Sequence, residues 1–105
     1  MLRVRVDDQA MTTTFYVEGK LVGSSVDELR KVWTATHAEF PQKQTVVELT
    51  SVLVVDATGR TLLRQMHVNG TQLSGKGIMV KTLIEEIANG NNSVRESGFL
   101  LTREN

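Results

Sequence analysis

The chain has 105 residues, 40% of them apolar and 23% charged, a composition typical of one globular domain rather than of a disordered or membrane protein. Twelve basic and twelve acidic side chains cancel, without the basic surplus expected of a nucleic-acid-binding protein. The absence of cysteine removes disulfides and thiolate chemistry. No segment has the length of a signal peptide or a membrane span. We therefore expect a cytoplasmic protein with no nucleic-acid partner and no membrane insertion.

The first twenty residues alternate between apolar and polar side chains. Leu2, Val4 and Val6 alternate with arginines, and Phe15 and Val17 alternate with more polar neighbours. A period of two predicts strands with one buried face. The stretch DDQAM between them is short enough for an antiparallel hairpin.

The next segment predicts a helix that begins at a capping box and ends before Pro41. Ser25 and Glu28 have the spacing at which a hydroxyl and a carboxylate each accept a hydrogen bond from a backbone amide. Apolar residues then recur at helical spacing: Val26, Leu29, Val32, Trp33 and Phe40. Because Trp33 lies on this stripe, we expect it to pack in the core rather than to stack on a ligand.

Two further strand–helix units complete the pattern. The stretches TVVELT and TQLS predict a central strand and a short strand, and each precedes a helix that ends at an Asn-Gly pair, Asn69-Gly70 or Asn89-Gly90. The apolar positions of these helices are Leu62, Leu63 and Met66 in one, and Val80, Leu83, Ile84 and Ile87 in the other.

This order of elements predicts an α/β fold with parallel strands joined by right-handed crossovers. Strands covered on both faces form continuous apolar runs, whereas these strands alternate. We therefore expect a four- to five-stranded mixed sheet with the helices mainly on one face. The apolar tail residues Phe99, Leu100 and Leu101 are a candidate cover for the other face.

The stretch GTQLSGKG, residues 70–77, has the Gly and Lys spacing of a P-loop. Position 77 is Gly, however, where the motif needs a Ser or Thr to hold magnesium. The stretch TQLS also fills the would-be loop with a strand. We therefore predict two turns around a short strand and no nucleotide cofactor.

The remaining polar residues do not form a recognisable catalytic or metal-binding pattern. His37 and His67 are thirty residues apart without HExxH spacing, so we expect each to be a solvent-facing helical residue. Glu85 and Glu86 are expected on a solvated helix face. We predict no metal site and no catalytic residue.

The stretch VVDATGR, residues 54–60, combines an acid, a hydroxyl and a glycine at the start of a helix. Asp56 is placed to cap that helix by accepting the amide of Thr58 or Gly59. If Asp56 were the nucleophile of a phosphatase, we would expect a second acidic residue at position 58, but that residue is Thr. Recognition is the remaining role, because amides at a helix start beside a hydroxyl form a polar, anion-tolerant surface.

These stretches together resemble the STAS domain, the fold of bacterial anti-sigma-factor antagonists. The resemblance covers about residues 12–88 and includes YVEGKLVGSSVDELRKVW, VVELTSVLVVDATGRTLLRQM and NGTQL. Its most specific part is ELT, a hydrophobic spacer, and Asp-x-Thr-Gly followed by paired leucines. We expect one STAS-like domain over residues 1–105, with a core at about 12–88 and a tail at 89–105.

The resemblance implies a non-enzymatic regulatory domain whose loop before the second helix docks onto a partner protein. In sigma-regulating members that partner is an anti-sigma factor with serine-kinase activity. The implied contact residues are Asp56, Ala57, Thr58, Gly59 and Arg60, with the neighbouring Val22, Gly23 and Ser24.

The main departure from the family pattern is Ala57, because the kinase phosphorylates the residue directly after the loop aspartate. Docking is then retained without the usual phosphoswitch, and Thr58 is the remaining candidate acceptor. Glu48 in place of the commoner Asp is a milder departure. Two alternatives stay open: an accessory subunit that binds the ATPase of an ABC-type transport or lipid-trafficking complex, and a small-ligand module that uses the open sheet face. A homodimer is compatible with each.

Overall fold

The computed structural model describes residues 2–90, which form one mixed sheet and three helices. The elements in chain order are β1 (Leu2–Asp8), β2 (Thr12–Leu21), α1 (Ser25–Glu39), β3 (Gln44–Val55), α2 (Ala57–Val68), β4 (Gln72–Ser74) and α3 (Ile78–Ala88). This order confirms the predicted α/β fold.

The strands lie side by side in the order β1-β2-β3-β4. The first two form the predicted antiparallel hairpin, in which Val4 pairs with Val17. The pairs β2/β3 and β3/β4 are parallel, with α1 and α2 as their crossovers. Since parallel strands end at the same edge of a sheet, the last residues of β2 and β3 meet, and Leu21 pairs with Val55.

The hydrophobic core lies on one face of the sheet, between the strands and the helices. Alternate residues of the strands are buried there, together with apolar residues from all three helices. The buried set includes Phe15, Val17, Val47, Leu49 and Leu73 from the sheet, and Val26, Leu29, Leu62, Leu63, Met66 and Ile87 from the helices. The prediction of helices mainly on one face is confirmed.

The opposite face of the sheet is more polar and only half-buried. Thr14, Tyr16 and Glu48 alternate with the core residues, and the guanidinium of Arg5 lies 4.2 Å from the ring centre of Tyr16. The predicted cover at 99–101 lies outside the described residues.

The capping box predicted for α1 does not form. Neither Ser25 nor Glu28 caps the helix, and the N-cap position is Ser24, whose side chain makes no capping hydrogen bond. The amides of Ser25, Val26 and Asp27 donate instead to the carbonyls of residues 22–24, at 3.0 to 3.1 Å. The turn before α1 therefore satisfies these amides without a side chain.

The environment of Trp33 agrees with the prediction, whereas that of the histidines does not. Trp33 is half-buried against the core, and its Nε1 donates to the Thr71 hydroxyl at 2.9 Å. His37 and His67 are half-buried rather than solvent-facing. His37 stacks on Trp33 with ring centres 6.0 Å apart, because one helical turn separates the two residues on the same face.

The central strand β3 is longer than the predicted TVVELT and continues to Val55. Its partner β4 has three residues and pairs only with Val46–Glu48. As predicted, β4 occupies the middle of the P-loop-like stretch, and Gly70 follows α2 with a φ of 96°. Within residues 2–90, no helix has the length and apolar character needed to cross a membrane.

Candidate functional site

Asp56 joins two loops at the edge where β2 and β3 end. It is the N-cap of α2, and its Oδ1 accepts the Gly59 amide at 2.8 Å, which confirms the predicted cap. Its Oδ2 accepts the Gly23 amide at 2.9 Å, a contact that the sequence did not indicate. The Asp56 amide also donates to the Leu21 carbonyl at 3.3 Å. One carboxylate thus holds the turn before α1 against the first turn of α2.

Two glycines make this close approach possible. A Cβ atom on Gly59 would lie 2.5 Å from the Leu21 carbonyl oxygen and 2.9 Å from a Val55 methyl group, which is closer than real contacts allow. Gly23 has a φ of 55°, in the left-handed region that glycine adopts most readily. The geometry of the two loops therefore depends on the missing side chain at Gly59 and on the left-handed backbone at Gly23.

The hydrogen bonds to Asp56 favour its ionised form. The amide of Gly59, and after it the amide of Gly23, hold the pKa of the Asp56 carboxyl below its ordinary value of 3.8, because donors stabilise the carboxylate. A carboxylate that is ionised and already bonded on both oxygens is a structural anchor.

Ala57 and Thr58 are the exposed part of this loop. The hydroxyl of Thr61, rather than that of Thr58, donates to the Ala57 carbonyl at 3.0 Å. Among residues 2–90 the Thr58 hydroxyl has no hydrogen-bond partner. Gly23 and Ser24 are also exposed, and Val22 is half-buried.

Arg60 connects the loop to α3. Its guanidinium donates to the Glu86 carboxylate at 2.8 Å. The Glu86 side chain is still 44% exposed, so it lies on the predicted polar face of α3 as part of a surface ion pair. The two residues are 26 positions apart in sequence and meet only because α2 and α3 pack together. Glu85, its neighbour on the predicted polar face, is also exposed.

The eight residues predicted as contacts lie together in one region, which we call the docking surface after its predicted role: Val22, Gly23, Ser24, Asp56, Ala57, Thr58, Gly59 and Arg60. Gly59 itself is buried and supports the surface rather than forming it.

An apolar groove of about 320 Å³ lies beside the docking surface, between the end of β3 and α3. Leu53 and Met79 line it, and Arg60 and Glu86 lie among its lining residues. Sequence reasoning missed this groove. The signal was the run of residues 52–55, four consecutive apolar side chains that do not alternate as the rest of the sheet does.

The described part of the chain offers no assembled metal centre. No group of three His, Asp or Glu side chains between residues 2 and 90 is close enough to hold an ion.

The P-loop-like stretch is fixed to β3 by a backbone contact. The amide of Lys76 donates to the Thr50 hydroxyl at 2.9 Å.

No family model and no curated protein sequence matches the chain, but solved structures do. One is the anti-sigma factor antagonist SpoIIAA in its unphosphorylated form. It superposes with a TM-score of 0.65 at 11% identity, over 80% of this chain and 83% of SpoIIAA. Another is Mglu, with a TM-score of 0.55 at 15% identity, over 70% of this chain but only 19% of Mglu.

At these identities the likeness shows the fold alone. This chain has a STAS-like fold, which confirms the resemblance carried by its sequence.

Proposed function

We propose that this protein is a non-enzymatic regulatory module that binds a partner protein through the docking surface. The observation that supports the proposal most directly is the double hydrogen bond of Asp56 to Gly59 and Gly23. It fixes two separate loops into one surface before any partner arrives, and preorganisation lowers the entropic cost of binding. A STAS-like fold shared with an anti-sigma factor antagonist favours an anti-sigma factor as that partner.

The proposal treats docking as independent of phosphorylation at position 57. Ala57 has no hydroxyl, and its exposed methyl group lies in the first turn of α2. We expect incubation with a candidate partner kinase and ATP to leave the intact mass unchanged. A gain of one phosphate that maps to the exposed Thr58 would show that a phosphoswitch operates one residue further along.

The substitution Ala57→Asp separates folding from recognition. A carboxylate in the first turn of a helix interacts favourably with the helix dipole, by about 0.3–1 kcal/mol where exposed, so the fold should persist. The same charge pressed into an interface without a cationic partner would be desolvated and unpaired, which is costly. We therefore expect binding to be lost and the thermal melt to be nearly unchanged.

The matched control is Ala10→Asp, the same exchange in the exposed turn between β1 and β2. That turn precedes β2, whereas the docking surface follows it, so the two positions lie at opposite ends of the sheet. Proteins captured from native lysate by the wild type and by Ala10→Asp, but not by Ala57→Asp, would be identified by mass spectrometry. Retention of all partners by Ala57→Asp, with their loss in Ala10→Asp, would place the binding site elsewhere.

A further inference from the structure

Among residues 2–90, the second half of β3 forms an unpaired edge of the sheet. The short strand β4 pairs only with Val46–Glu48, whereas β3 continues to Val55. On its other side this half of β3 is covered, since Val52 and Val55 pair with residues of β2. Within residues 2–90, no strand pairs with residues 51–55 on the side of β4. The peptide groups on that side form an open hydrogen-bonding edge.

This open edge lacks the features that usually prevent strand association. Residues 51–55, SVLVV, include no charge and no proline, although native edges commonly carry one or the other. Leu53 is 77% exposed and Val54 47%, and Met79 of α3, which lines the same groove, is 85% exposed. Exposed apolar side chains gathered in this way mark an interaction surface on a folded protein.

The groove beside the edge defines what can bind there. Its two charged side chains, Arg60 and Glu86, are hydrogen-bonded to each other at 2.8 Å. Because their charges balance, the groove does not favour a charged ligand. The open peptide groups of β3 require an extended backbone, and Leu53 and Met79 require apolar side chains. An uncharged, extended, apolar segment meets all three conditions.

We propose that a second copy of this chain occupies the open edge, with residues 51–55 of the two copies paired antiparallel across a twofold axis at Leu53. Ser51 of each copy then pairs with the partner's Val55. The two four-stranded sheets become one sheet of eight strands, and both open edges are covered in the same step.

A second copy fits better than a flexible peptide for a physical reason. Its segment 51–55 is already held as a strand by β2, so it loses little conformational entropy on pairing, whereas a disordered peptide must first be ordered. A twofold axis also makes the same patch face itself, which is the commonest arrangement of soluble dimers. The inference does not rest on the proposed function, because Ala57 and Thr58 take no part in it.

Sedimentation equilibrium of the full chain tests the proposal, over concentrations from about 1 μM to about 1 mM. We expect the wild type to approach twice the monomer mass. Leu53→Lys places two like charges at the centre of the interface and should weaken dimerisation by about a hundredfold or more. Met11→Lys is the matched control, since Met11 is 78% exposed in the turn between β1 and β2, and it should dimerise like the wild type.

A wild type that stays monomeric at every concentration overturns the proposal, as does a Leu53→Lys variant that dimerises as tightly as the wild type. Since the Leu53 side chain is mostly exposed, the variant should fold, and far-UV circular dichroism verifies this.

Cross-linking tests the pairing register in a chain that has no cysteine of its own. Residues that face each other in an antiparallel pair have Cα atoms about 4.5–5.5 Å apart, which is within the range of a disulfide. We expect Leu53→Cys, oxidised with copper phenanthroline, to yield a covalent dimer on a non-reducing gel. Met11→Cys should remain monomeric under the same conditions, and equal cross-linking of the two variants contradicts the register.

Discussion

The first turns of α1 and α2 carry similar sequence signals but are held in different ways. At α1 the sequence predicts a capping box from Ser25 and Glu28. In the structure the backbone carbonyls of residues 22–24 accept the hydrogen bonds of the first amides instead. At α2 the single residue Asp56 separates strand from helix, and its carboxylate accepts the Gly59 amide. Where a turn precedes a helix, its carbonyls can satisfy the orphan amides. Where a strand leads directly into a helix, as at α2, no such turn is present and a side chain can accept the amide instead.

The largest effect on this comparison is expected from Gly59→Ala at the start of α2. Alanine is the better helix former by about 1 kcal/mol, but its Cβ would lie 2.5 Å from the Leu21 carbonyl oxygen. Because a backbone atom cannot move aside easily, the clash should dominate and lower the free energy of unfolding by about 1–3 kcal/mol. Urea denaturation measures the change.

The control for that variant is Thr58→Ala, one residue earlier on an exposed position. Its free energy of unfolding should stay within about 0.5 kcal/mol of the wild type. A stability of Gly59→Ala equal to that of Thr58→Ala would mean that α2 can shift away from β2 at no cost.

The next largest effect is expected from Asp56→Ala, which leaves the amides of Gly59 and Gly23 without their acceptor. We expect the Tm to fall by about 5 °C, as followed by circular dichroism. Asp56→Asn should lower the Tm by less than Asp56→Ala, because asparagine caps helices about as well as aspartate. It should still lower the Tm somewhat, because asparagine has one acceptor oxygen where aspartate has two.

Asp27→Ala makes the same exchange in the first turn of α1, where Asp27 pairs with Arg30 on the surface. Exposed pairs of this kind contribute little, so its Tm should be close to that of the wild type. If Asp27→Ala and Asp56→Ala lowered the Tm equally, the two helix starts would not differ as the structure indicates.

A smaller effect should appear as a pH dependence of the Asp56→Asn difference. The pKa of Asp56 is lowered in the fold, first by the Gly59 amide and then by the Gly23 amide. Its carboxylate therefore contributes stability that is fully present above the unfolded pKa, near 3.8, and is lost as the pH falls through the folded pKa. The wild type should be the more stable at pH 7, and its advantage should shrink steadily as the pH falls below about 3.8.

Comparing two variants removes the contribution of Asp8, whose pKa is also lowered, chiefly by its hydrogen bond from Lys43. Denaturation curves at a series of pH values provide the measurement. If the stability difference between wild type and Asp56→Asn stayed constant down to pH 2, the negative charge of Asp56 would not be its cause. The difference would then come from the geometry of the side chain at position 56.

The smallest effect is expected where the sequence signal looked strongest. The double variant Ser25→Ala with Glu28→Ala deletes the predicted capping box of α1, yet neither side chain caps the helix. The Tm should change by less than about 2 °C. A loss as large as that of Asp56→Ala would show that the box forms in solution.

The sequence predicted the features that depend on local patterns. The alternation around Val47 and Leu49 predicted the buried face of β3, and the apolar spacing of α2 and α3 predicted which sides of these helices are buried. The cap at Asp56 was predictable because it spans only three residues.

The features that depend on tertiary contacts were not predictable. The bond from Gly23 to Asp56 spans 33 residues and that from Arg60 to Glu86 spans 26, and no local spacing marks either pair. The length of β3 was underestimated because alternation stops after residue 50, where the strand loses its β4 neighbour and its side chains meet solvent and α3 instead.

The parallel pairing of Leu21 with Val55 closes a long loop of chain, residues 22–54, before the docking surface can exist. Loop closure of this kind costs chain entropy that is recovered only when distant strands pair, so the surface requires the tertiary fold and not only the local helix. A nascent or partly folded chain with α2 alone would display Thr58 without Gly23 beside it. A partner that contacts both loops would therefore bind only the fully folded protein and would discriminate against partly folded chains.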